Sequence, residues 1–172
     1  MGRSGSESTL SGLCTALALA AAAAGLVAGC VLPHPGRITA GMGEGEVVAL
    51  MGPPTARSAM AGGATRLEFA RGPAGRETWM VDLDNAGRVT GAEQVLDSWH
   101  FLEVAAGTPR EALLRALGRP GWVQGEHGGK ETWYWRYPTN SCLVAAATLS
   151  PQGLVVGGVS QMPDPACEPR VR

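Results

Sequence analysis

The sequence predicts an α+β fold: two tandem modules, each a helix or helix pair set on a three-stranded antiparallel sheet. An internal repeat, a helix pattern closed by Gly-x-Pro and three runs of strand periodicity per copy lead there. GMGEGEVVALMGPP, residues 41–54, returns as GTPREALLRALGRP, residues 107–120, an offset of 66 (107 − 41). At that offset, without a gap, Gly41, Gly52, Gly62, Gly63, Gly87 and Gly91 meet Gly107, Gly118, Gly128, Gly129, Gly153 and Gly157. Chance would align roughly one or two glycines, so the chain is a duplication. The modules span residues 37–97 and 103–163, with a linker at 98–102 and a tail at 164–172.

In the first copy Val47, Val48, Leu50 and Met51 share a helical face, Gly52 supplies a C-terminal cap and the prolines after it forbid continuation. Leu113, Leu114 and Leu117 repeat that face. The residues before each helix, 37–40 and 103–106, have room for a short helical turn. ATRLEFAR, ETWMVDLD and RVTGAEQVL then read as strands in copy one, and KETWYWRY, CLVAAATLS and LVVGGVSQM in copy two, with hairpin turns at 85–87 and 151–153. Alternation puts Leu67, Phe69, Trp79, Val81 and Leu83 against the helix, and Trp133, Trp135, Ala145, Ala147 and Leu149 in the equivalent places. Enlargement of Leu67 to Trp133 is offset by reduction of Trp79 to Ala145, so these tryptophans read as core rather than a ligand platform.

With 45% hydrophobic and 17% charged residues, the chain can bury one ordinary core or two small ones. A net charge of −1 offers no electrostatic footprint for nucleic acid. Residues 1–29 carry Arg3, a Leu/Ala-rich run and a small-residue ending, the pattern of a secretory signal. Leu26-Val27-Ala28-Gly29-Cys30 resembles the lipobox of bacterial lipoproteins, in which the cysteine is diacylated and becomes the new N-terminus. At about 0.8 kcal/mol per buried methylene, several acyl chains give a lasting anchor. Val31 follows the cysteine in place of an inner-membrane retention aspartate. The resemblance therefore implies an outer-membrane destination, lipid-anchored on the periplasmic side, with residues 30–36 as a tether. Cys142 and Cys167 remain in an oxidising compartment, where pairing would close a loop of 25 residues (167 − 142) and add about 3 kcal/mol; two free thiols are the alternative.

A lipobox followed by Gly41, Met42, Glu46, Val47, Leu50, Gly52 and Pro54, then Asp84, Gly87 and Val89 in a hairpin, resembles the BamE (SmpA/OmlA) family. The resemblance implies a helix–helix–three-strand domain held in the inner leaflet of the outer membrane, serving as a non-catalytic accessory of the machine that inserts β-barrel proteins. Two departures stand out: the module is doubled, which looks like the tandem β-lactamase inhibitory protein, and Ser150 replaces the hairpin aspartate in copy two.

DLDNAGRVTGAE, residues 82–93, imitates a calcium loop, yet Ala86 and the strand-like flanks read it as a turn. His34, His100 and His127 have no second ligand at metal spacing and read as solvated. No serine sits in a nucleophile elbow, and nothing marks out Glu46, Glu68 or Glu77 as an acid–base pair. No enzyme activity, cofactor or metal is expected. The outward sheet face, with Arg66, Glu68 and Met80 in copy one and Thr132, Tyr134 and Arg136 in copy two, is the candidate protein-binding surface, an ordinary solvated face being the alternative. Trp99, His100 and Phe101 are expected to pack between the modules. Expected partners are outer-membrane lipid, through Cys30, and an envelope protein. The function expected is that of a barrel-assembly accessory or, alternatively, of an inhibitor-like binder of a periplasmic enzyme.

Overall fold

Helix α1 (Glu44–Met51) begins where the Glu46 carboxylate accepts the Gly43 N–H at 2.7 Å, and stops at Gly52, whose N–H returns to the Val48 carbonyl at 2.9 Å. It is followed by β1 (Ala56–Ala59), β2 (Thr65–Ala70), β3 (Thr78–Leu83) and β4 (Val89–Gln94), an antiparallel sheet in sequence order. Val47 and Met51 close on Leu67, Phe69, Val81, Leu83 and Val89, with Trp79 partly buried beside them. Leu67, Phe69, Trp79, Val81 and Leu83 are the residues that strand alternation assigns to the helix side; Val89 joins them from β4. The structure is a computed structural model and describes residues 35–167. The signal, Cys30 and His34 lie outside the described residues.

Next come α2 (Ser98–Glu103), α3 (Arg110–Leu117), β5 (Trp122–Gly125), β6 (Glu131–Arg136), β7 (Leu143–Leu149) and β8 (Val155–Pro163), the four strands again in sequence order. The duplication is visible in the fold: α3 starts 66 residues after α1 (110 − 44), and β5 starts 66 after β1 (122 − 56). The isolated bridges Gly43–Arg88 and Pro109–Leu154 keep the same offset. Trp133 faces Ala147 across the β6–β7 pair and Trp135 faces Ala145, so each indole lies opposite an alanine. Tryptophan volume and alanine space are thus matched strand to strand.

Two expectations need correction. Each sheet has four strands rather than three, because the four-residue runs ARSA and WVQG pair with β2 and β6 as edge strands. Short edge strands bond on one side only and carry little alternation, so periodicity passes over them. The linker at 98–102 is helix α2, with Asp97 as its N-cap: one carboxylate oxygen accepts the N–H groups of Trp99 and His100 at 2.9 and 3.0 Å.

The modules share a junction. The outer face of the first sheet meets the C-terminal turn of α3, and Met80, Val95 and Leu96 join the second core with Phe101, Leu113, Leu117, Trp133 and Trp135. Arg66 donates to the Arg115 carbonyl at 3.0 Å, and the Arg119 N–H donates to the Glu68 carboxylate at 3.1 Å. Gly118, at φ 74°, passes so close to β3 that a Cβ would lie 2.7 Å from Thr78 Cγ2 and 3.1 Å from Glu68 Cδ. Its counterpart Gly52, at φ 81°, has nothing within 4 Å of such an atom. Gly52→Ala therefore meets backbone strain alone, about 1–3 kcal/mol, whereas Gly118→Ala adds overpacking of about 1–3 kcal/mol. Urea denaturation of the two variants is expected to rank Gly118→Ala clearly below Gly52→Ala; equal losses would show that the junction is not tight at this residue.

Candidate interaction surface

The six residues of the sequence-derived surface do not form one open face. Glu68 and Met80 are buried under α3, at 6% and 2% exposure. Glu68 also accepts from the Thr55 hydroxyl at 3.1 Å, which places two donors on its buried carboxylate. Arg66 is held bidentately by Asp82 at 2.6 and 2.7 Å. On the second sheet Thr132 and Tyr134 are buried at 4% and 8% exposure. The Thr132 hydroxyl is engaged by Glu126 and, at 2.8 Å, by Thr148. Trp122 stacks on Tyr134, centroids 4.7 Å apart and planes 4° from parallel, and the Arg136 guanidinium lies 4.9 Å from the Trp122 ring.

Arg136 is tied down as well. Asp164 holds its Nε and Nη2 at 2.6 and 3.0 Å, and the Pro73 carbonyl takes Nη1 at 2.7 Å. Asp164 in turn donates its N–H to the Cys142 carbonyl, beside the disulfide that joins Cys142 to Cys167 with Cα atoms 6.3 Å apart. The tail after β8 is thereby fastened to the start of β7.

Of the linker aromatics, Phe101 is buried in the second core and packs edge-on against Tyr137 at 5.2 Å. Trp99 does the opposite of what was expected: it is 79% exposed, as is Leu102 three residues on. In a helix that spacing sets both on one side. This apolar pair was missed because hydrophobicity alone suggests burial; the available signal was Phe101, which the N-cap at Asp97 places on a different side of the helix. His100 is not solvated either: Nδ1 lies 2.9 Å from Asp97 and Nε2 3.6 Å from Glu93, which itself sits 3.7 Å from Arg66. A polar chain from Asp82 through Arg66, Glu93 and His100 to Asp97 so connects the first sheet to α2.

The carboxylates considered for acid–base chemistry are each engaged separately: Glu46 by the Gly43 N–H, Glu68 at the junction, and Glu77 by the Trp79 indole N–H at 3.1 Å. Asp84 accepts the N–H groups of Ala86 and Arg88, both at 2.9 Å, and orders the hairpin resembling a calcium loop. Ser150 takes its place in copy two, accepting the Leu154 N–H at 3.3 Å. Among the described residues no three His, Cys, Asp or Glu side chains gather as a metal site.

No family model matches the chain, and no curated protein matches it. A solved structure that aligns with it is an extracellular protein containing a SCP domain from Bacillus anthracis str. Ames, at 12% identity and a TM-score of 0.30. The alignment covers 78% of this chain and 47% of that one, so the chain spans about half that protein's length. A likeness of that size carries no argument about fold or function.

The Arg136–Asp164 pair has a pH signature. The guanidinium holds the Asp164 carboxyl below the usual carboxylate range against the cost of burial, helped by the Ala166 N–H. Its contribution is therefore complete above the unfolded value of about 3.9 and fades as pH falls through the lower folded value. Asp164→Asn is expected to cost about 1.5–3 kcal/mol at pH 7, with the gap to the parent narrowing below about pH 4. Thermal melts across pH test this; a gap independent of pH would mean that the charge on Asp164 is not the source.

Proposed function

We propose that the chain is an outer-membrane lipoprotein, anchored through Cys30, that works by non-catalytic protein binding as an accessory of the β-barrel assembly machine. The observation that carries the binding role is the Trp99–Leu102 pair, 79% exposed at both positions on a helix fixed by its N-cap and by buried Phe101. Tryptophan supplies large contact area at small entropic cost and dominates many binding sites. The anchoring part of the proposal rests on the lipobox, residues 26–30, and the choice of machine rests on the resemblance of residues 41–54 and 84–89 to the BamE family. Among the described residues no helix is long and apolar enough to cross a membrane.

Capture from detergent-solubilised envelopes with a C-terminally tagged chain tests the proposal. Recovery of the barrel-assembly machine by the parent, reduced about tenfold or more by Trp99→Ala with Leu102→Ala, is the expected result. Recovery of a soluble periplasmic enzyme instead would favour the inhibitor-like alternative, and recovery that ignores both substitutions would move the contact away from α2.

A further inference from the structure

A crevice of about 210 Å³ opens where the β2–β3 loop of the first module meets the α3–β5 turn of the second. Its walls are largely apolar and include Pro73, Leu96, Pro120 and Trp135. The Trp135 indole N–H donates to the Gly118 carbonyl at 3.2 Å, and Trp135 and Leu96, 1% and 2% exposed, close the apolar floor of the crevice. A dry cavity of about 150 Å³ is enough to hold benzene, so this one has space for a single ring with a short substituent.

Two charged residues among those lining it have capacity to spare. Arg119 is exposed, and its guanidinium has no salt-bridge partner among the described residues; only its backbone N–H is engaged, by Glu68. Glu77 has a hydrogen bond from Trp79 to one carboxylate oxygen, leaving the other as an acceptor. Arg136, also in the lining, has its charge paired by Asp164 and is held in place by Asp164 and the Pro73 carbonyl. An apolar slot of one-ring size whose lining holds one cation and one carboxylate, each unpaired among the described residues, matches a zwitterion that carries a ring. A simple carboxylate would leave Glu77 repulsive, and a simple amine would leave Arg119 so.

We propose that the module junction is a binding site for a free aromatic amino acid, its ring against Pro73 and Pro120 over the closed floor of the crevice, its carboxylate on Arg119 and its ammonium on Glu77. The proposal does not depend on the protein-binding role. The Gly118–Gly121 turn that docks the modules also forms one wall, so an occupant would touch both modules at once.

The experiment is a titration of the full-length chain with phenylalanine, phenylacetate and phenethylamine, following the Trp135 indole N–H by nuclear magnetic resonance and heat by calorimetry. Phenylalanine is expected to saturate and to bind about tenfold or more tightly than either single-charge analogue. Arg119→Gln should weaken phenylalanine about tenfold and abolish its advantage over phenethylamine; Glu77→Gln should abolish its advantage over phenylacetate. Ala70→Leu, which fills the lining from β2, should remove binding while leaving the melting curve that of a folded protein. Failure of phenylalanine to saturate, or saturation untouched by Arg119→Gln and Glu77→Gln, overturns the assignment.

Discussion

The close passage of Gly118 over the first sheet is the constraint on which the rest of the molecule depends. Without a side chain at that residue, the last turn of α3 settles on Thr78, Glu68 and Met80, and the Arg119 N–H reaches the Glu68 carboxylate. That donor and the Thr55 hydroxyl make a carboxylate 6% exposed tolerable, since a buried acceptor left unpaired would cost several kcal/mol. Each module is about 60 residues, a size at which a single core is marginal. Transferring Met80, Val95 and Leu96 into the second core converts two marginal cores into adjoining ones with a common wall.

The duplication explains how such a junction could arise, and its departures from symmetry explain why it occurs once. In the first module the outer sheet face receives the neighbour's helix turn. In the second, Ala56 has become Trp122 (122 − 66), and its ring lies flat on Tyr134 over Val144 and Ala146. Glu68 has become Tyr134, which lacks the carboxylate that receives the backbone donor in the first module. Arg136, Asp164 and the disulfide between Cys142 and Cys167 then fasten the margin of that face. A terminal repeat has to seal the face that an internal repeat would offer to its neighbour, and here side chains of the same module do so.

These features were unequally legible. The repeat, both long helices, six strands and the inner-face residues follow from spacing, because glycine caps and alternation are local signals. Edge strands β1 and β5 are four residues each and supply no such pattern. The outer faces were misread for another reason: alternation separates the two faces of a sheet but does not say what covers the second. Met80, an apolar residue among Arg66, Glu68 and Asp82, was the local hint that this face was covered. Likewise His100 has no partner in sequence except Asp97, three residues back, while its other neighbour, Glu93, comes from the edge of the first sheet. Contacts of that kind depend on how the modules dock, which no window of sequence contains.

The same docking decides how α2 presents its exposed residues. A six-residue helix has too few internal hydrogen bonds to persist alone, so its orientation is set by what grips it. Phe101 is held in the second core, while His100 is held between Asp97 and Glu93 at the first sheet. With those two sides committed, Trp99 and Leu102 are left facing water, although burying either would be worth about 1.5–3 kcal/mol. Their exposure is therefore enforced by neighbours from both modules and not by slack in a linker. A contact surface built in this way is pre-oriented, and a partner that covers it need not order the helix first.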